Sequence, residues 1–236
     1  MKKVLKVVRR ILLVLIALVV LVTGFFAAKG AIMWNDSKKE LSVTQAARNI
    51  REGEEFVKFE DLPQFYIDAV ISVEDRRFFK HSGISVKSII RAALYDIKTK
   101  SLEQGGSTIT QQLAKNVWFS EEKRLERKFA EVWAAFDLER ALSKNEIFEL
   151  YVNTIYFGSG YYGVGEAARG YFGKAPSELS DYECAMLCGL PNAPSVYSLD
   201  EAPELAKQRL SQVLDSMTAN EVLSEERARE IIQSNE

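Results

Sequence analysis

Residues 69–79, AVISVEDRRFF, set four charged side chains between an apolar helical pattern and two phenylalanines. Ile67, Val70 and Ile71 recur at helical spacing, and Glu74 falls on the same stripe, one turn beyond Val70. A carboxylate on the apolar side of a helix loses hydration, which raises its pKa, while Arg76 and Arg77 pull it back down. The balance describes either a general base poised near neutral pH or a charged helix end paired with its neighbours, and this stretch alone fits both. Glu131 carries Arg127 and Lys128 at i−4 and i−3, the spacing of ordinary helix-surface ion pairs. Taken alone, it reads as part of a solvated face.

Other chemistries are poorly supplied. A single histidine, His81, leaves little room for a Ser-His-Asp hydrolase. Cys184 and Cys188 stand four apart on one predicted helix, without the further Cys or His that a metal site needs, so they read as buried thiols.

The elements that must hold Glu74 and Glu131 are helices. Pro63 suits a first helical position ahead of the Glu74 stripe. Ser85 can cap a helix with Val86, Ile89, Ile90, Ala93, Leu94 and Ile97 turned inward. A Gly-containing loop over 98–107 leads into TITQQLAKN, 108–116. Residues 121–142 predict a long helix with an apolar stripe of Leu125, Phe129, Val132 and Phe136, Glu131 lying on another side. Ser143–Glu146 and Ser180–Glu183 are capping boxes, Pro203 opens a further helix and Ser224 caps the last. A short strand is expected only around Glu55–Phe59, so the fold class is mainly α.

Hydrophobic content of 47% with 27% charged residues describes a globular chain. The beginning stands apart. Residues 1–10 carry Lys2, Lys3, Lys6, Arg9 and Arg10, and Ile11 to Ala28 follow as 18 uncharged, mostly apolar residues. At ~1.5 Å per residue that run spans roughly 27 Å, close to the hydrocarbon thickness of a bilayer once Gly30 to Trp34 are added. An uncleaved membrane anchor is expected, with its basic end cytoplasmic and the rest extracytoplasmic. The expected organisation is 1–34 basic end and anchor, 35–54 juxtamembrane connector, and 55–236 catalytic domain. Without the five leading cations the chain keeps 26 Lys and Arg against 33 Asp and Glu, a formal charge of −7 that disfavours nucleic acid as a partner.

Four stretches in order, ISVEDRRFFKHSGI (71–84), QGGSTITQQLAKN (104–116), RKFAEVWAAFDLE (127–139) and KNEIFELYVNTIYFGSGYYGV (144–164), resemble the motifs of the peptidoglycan glycosyltransferases. A fifth, LSDYECAMLCGLPNAPSVYSL (179–199), is similar to the same family, so the resemblance covers about residues 55–215. It implies a lysozyme-like, two-lobed helical domain behind one transmembrane helix, the smaller lobe dipping into the bilayer. The implied reaction polymerises lipid II into β-1,4-linked glycan with inversion and release of polyprenyl diphosphate. The implied partners are lipid II, the growing lipid-linked glycan, the cytoplasmic membrane and other cell-wall synthesis proteins.

By that resemblance Glu74 is the general base, and Glu131 the second catalytic carboxylate, beside the diphosphate. There it would hold a divalent cation, Mg or Mn, or the basic side chains that meet the diphosphate; no organic cofactor is implied. Lys115, Arg124, Arg127 and Lys128 are the local cations, joined by Lys123 where the family usually has arginine, so either Lys123 or Arg124 makes that phosphate contact. Ser107 and Thr108, behind Gly105 and Gly106, offer backbone N–H groups to an oxyanion or sugar, although a plain flexible loop fits as well. Gln111, Gln112, Asn116 and Asn153 offer amides to sugar hydroxyls, and Arg77 completes the substrate-binding set. Asp75 and His81 are expected to shape the cleft, and Tyr156 and Phe157 to belong to the core. Ser120 to Lys123 fits the S-x-x-K pattern of transpeptidases, but no S-x-N or K-T-G follows, so a monofunctional enzyme is expected. Two other classes remain open: a lysozyme-like hydrolase or lytic transglycosylase, and an inactive membrane-anchored scaffold.

Overall fold

A computed structural model describes residues 2–91, 105–119, 124–197 and 199–234. Among them there is no strand, only an isolated antiparallel bridge between Tyr156 and Tyr162. Helix α1 runs unbroken over Lys2–Glu40. Its apolar stretch has a mean hydropathy of 3.0 over 18 residues and is not buried within the protein, so it is long and apolar enough to cross a membrane.

α1 continues past residue 34 because its last turns have something to pack on. Trp34 is 2% exposed, meets Trp118 edge to face at 5.2 Å and donates its indole N–H to Asp137 at 2.8 Å. Residues 43–51 of the expected connector form α2, Val43–Arg51, started by a Ser42–Gln45 capping box. The strand expected near Glu55–Phe59 is absent. That segment is extended, but its hydrogen bonds go to side chains. Asn153 accepts from the Val57 N–H and donates to the Val57 carbonyl, and Glu149 accepts from the Phe59 N–H. This short segment thus gains ladder-like bonding without a second strand.

The remaining helices are α3 (Gln64–Glu74), a turn over 86–91 taken as α4, α5 (Ile109–Trp118), α6 (Leu125–Ala141), α7 (Lys144–Val152), α8 (Gly163–Phe172), α9 (Asp181–Gly189), α10 (Pro203–Ala219) and α11 (Glu225–Gln233). The Ser143 and Ser180 boxes and the Ser224 and Ser85 caps form as their sequences predict. α9 is the central element, packed against α3, α8, α10 and α11, with Cys184 through Gly189 all buried. Burial pushes the Cys184 thiol up to about 12 and raises the Cys188 thiol well above its ordinary value, so both act as protonated packing groups.

Two expected apolar stripes are not the buried faces of their helices where the structure describes them. Val86, Ile89 and Ile90 of α4 are exposed and Ser85 and Ser88 buried, while Ala93, Leu94 and Ile97 lie outside the described residues. On α6 the buried face is Ala130, Glu131, Ala134, Ala135 and Leu138, whereas Leu125 is exposed. α6 lies between α5 on one side and α1 on the other. The small residues admit α5, and Phe129 meets α1 at Gly30, where a Cβ would fall 2.6 Å from the Phe129 Cβ.

Candidate active site

Glu74 ends α3 in an open cleft of about 440 Å³. Its walls are α3, Arg91 of α4, Gly105 and Ser107, the α5 side chains Gln112, Lys115 and Asn116, then Asn192 and the α10 side chains Arg209 and Ser216. Glu74 is half-buried, and Gln112 Nε2 donates to its Oε2 at 2.7 Å. Burial raises the Glu74 carboxyl above its ordinary range; the Gln112 hydrogen bond and the Arg209 charge draw it down, and Asp75 adds a smaller upward push. The outcome is a carboxylate less acidic than usual, open to the cleft and aimed by one amide.

Glu131 is 1% exposed and sits behind that wall. Lys128 Nζ lies 2.6 Å from Glu131 Oε2, Arg127 Nε lies 3.2 Å from Oε1, and the same Lys128 donates to Ser107 Oγ at 2.6 Å. Glu131 therefore reaches the cleft through Lys128 and Ser107. Its i−4 and i−3 cations match the surface-pair spacing, but the carboxylate they pair with is buried.

The other expected site residues divide. Ser107, Gln112, Lys115 and Asn116 line the cleft with Glu74. Thr108 and Gln111 are buried in the box that starts α5: Thr108 accepts from the Gln111 N–H, Gln111 accepts from the Thr108 N–H, and the Thr108 hydroxyl donates to the Gly83 carbonyl. Asn153 is the strut at Val57, away from the cleft wall. Arg124 lines a separate hollow between α1 and the start of α6, with Lys29 and Asp36. Arg77 precedes the short turn at Phe78–Lys80, makes no capping bond with its side chain, and is not among the residues lining the cleft. Lys123 and the Ser120–Lys123 pattern lie outside the described residues.

Sequence patterns missed Arg91, Asn192, Arg209 and Ser216. The only signal for Arg209 was its contact with a glycine: Gly189 carries no side chain, and a Cβ there would lie 2.8 Å from Arg209 Cγ. That relation exists only once α9 and α10 are packed.

A family model described as Transglycosylase matches residues 37–218, and the Glu74 and Glu131 stretches both fall inside that range. This chain belongs to the peptidoglycan glycosyltransferases. Penicillin-binding protein 1A of Neisseria gonorrhoeae is 45% identical over 170 residues, 72% of this chain and 21% of the relative. Penicillin-binding protein 1A of Aquifex aeolicus is 44% identical over 177 residues, 75% of this chain and 24% of the relative. This glycosyltransferase chain thus spans about a fifth to a quarter of the length of the curated relatives it matches. The crystal structure of penicillin-binding protein 1A from Haemophilus influenzae matches at a TM-score of 0.43 and 24% identity, over 75% of this chain and 17% of that one, too weak a likeness to bear on the fold.

Proposed function

We propose that this chain polymerises lipid II on the outer face of a membrane, with Glu74 as the general base. The observation behind this is a half-buried glutamate of raised pKa, held by an amide in a cleft that also presents Lys115 and Arg209. In the proposed step Glu74 takes the proton of the acceptor sugar's 4-hydroxyl, and the freed oxygen bonds to the donor's anomeric carbon. The bond from that carbon to the diphosphate oxygen breaks, its electron pair leaves with the polyprenyl diphosphate, and the anomeric centre inverts. Negative charge gathers on the leaving group, and Lys115, Arg209 and the Ser107–Lys128–Glu131 chain are the groups available to meet it.

A divalent cation has a smaller claim. Among the described residues no three His, Cys, Asp or Glu side chains gather as a metal site, and both Glu131 oxygens already face Arg127 and Lys128. The described residues offer no cage of their own, so a cation there would depend on diphosphate oxygens.

The anchor and the exposed Val86, Ile89, Ile90 and Phe79 support a lipid-facing placement of the cleft mouth, where a polyprenyl substrate would wait. The test is incubation of the full chain with lipid II, beside Glu74→Gln and Glu131→Gln. Net polymer from wild type and none from Glu74→Gln is the expected result. Shortening of preformed glycan without polymer would favour a hydrolase, and cell-wall function unchanged by Glu74→Gln would favour a scaffold.

A further inference from the structure

Beneath the cleft floor, α7 carries a tyrosine that the proposed chemistry does not use. Tyr151 is 1% exposed, and its hydroxyl donates to Gln112 Oε1 at 3.4 Å. The other end of the same amide donates to Glu74 Oε2 at 2.7 Å. An amide can turn over, exchanging its oxygen and nitrogen at little steric cost. Turned over, Gln112 would set its oxygen against the Glu74 carboxylate. It would also turn its amino group to the phenol, which would then accept that bond and be left with its own O–H buried and without an acceptor, so Tyr151 disfavours that orientation.

We propose that Tyr151 is a positioning residue that fixes the orientation of the Gln112 amide and thereby keeps Glu74 in its basic, ionisable form. Burial first, and the nearby Glu74 charge after it, hold the phenol protonated, as a donor. The other titratable groups around Glu74 are Asp75 just after α3, Tyr66 from α3, Arg91 from α4, Lys115 from α5, Cys188 from α9 and Arg209 from α10. Glu74 accepts from one end of the Gln112 amide and Tyr151 donates to the other, so the phenol holds the orientation also when the carboxyl is protonated. The inference rests on the proposed role of Glu74 as base.

The experiment follows the Glu74 carboxyl by 13C NMR in the full chain, labelled at glutamate and assigned by difference with Glu74→Gln. Tyr151→Phe is expected to move the Glu74 midpoint up by roughly one pH unit, the size of a lost charge-assisted hydrogen bond. Gln112→Met should give a similar shift, and Tyr151→Phe added to Gln112→Met should give no further one. The acid limb of lipid II polymerisation should move with the midpoint, with the rate recovered at high pH. An unmoved midpoint in a folded Tyr151→Phe protein, or a second full shift in the double variant, overturns the inference. If the midpoint moves while wild type makes no polymer, the positioning stands and the proposed reaction falls.

Discussion

His81 Nε2 lies 2.7 Å from Asp75 Oδ2, and the same carboxylate oxygen accepts the Ile109 N–H at 3.2 Å. One buried side chain therefore ties the residue after Glu74 to the first turn of α5, the helix that supplies Gln112, Lys115 and Asn116. Asp75 shapes the cleft by fixing two of its walls together.

Asp75→Ala leaves the Ile109 N–H buried without its acceptor, a cost of about 1–3 kcal/mol. Urea denaturation should register that loss, and polymerisation should fall with it, because Gln112 and Glu74 no longer share a register. Unchanged stability would remove the tie from the account.

Glu74→Gln should abolish the proposed proton transfer, with a fall of about 10² to 10⁴ in rate. Because burial raises its pKa, the folded state holds this proton more tightly than the unfolded chain, whose ordinary value is 4.5. Glu74 thus lowers stability as pH rises from that value through the folded one. Glu74→Gln should melt at or above wild type at pH 7, by up to a few degrees, and match it near pH 4. In wild type the rate should drop as pH falls through the folded-state midpoint. A Glu74→Gln protein that melts well below wild type would contradict the burial argument.

Glu131→Gln leaves Arg127 and Lys128 facing a neutral amide inside the wall. The Lys128 link to Ser107 loosens, and polymerisation should fall by about tenfold or more. Restoration of full rate by added magnesium would point instead to a cation at this carboxylate.

Gly30→Leu forces a side chain into the Phe129–Ala130 backbone, where a Cβ already meets the Ala130 nitrogen at 2.7 Å. Overpacking of this kind costs about 1–3 kcal/mol. Cysteine cross-linking between α1 and α6, efficient in wild type, should fail in this variant.

Asn153→Ala removes both Val57 bonds and the tie to the Glu149 carbonyl. Stability should drop by about 1–3 kcal/mol, with the polymerisation rate of the folded protein nearly kept. A selective loss of rate without loss of stability would return Asn153 to the substrate.

The sequence by itself determined what depends on neighbours along the chain. The Ser143, Ser180 and Ser224 caps, the long apolar run, the mainly helical class and the family motifs around Glu74 and Glu131 all rest on residue types at fixed spacings of a few positions. Tertiary packing decided which face of each helix is buried. Seen alone, α6 offers two candidate faces, and only the closeness of Gly30 on one side and α5 on the other turns the alanines and Glu131 inward. The same cause converts Thr108, Gln111 and Asn153 from candidate ligands into struts and brings Arg209 to the cleft from 135 positions away. Burial and partner choice are properties of surfaces that meet only in the folded chain, so no local pattern carries them.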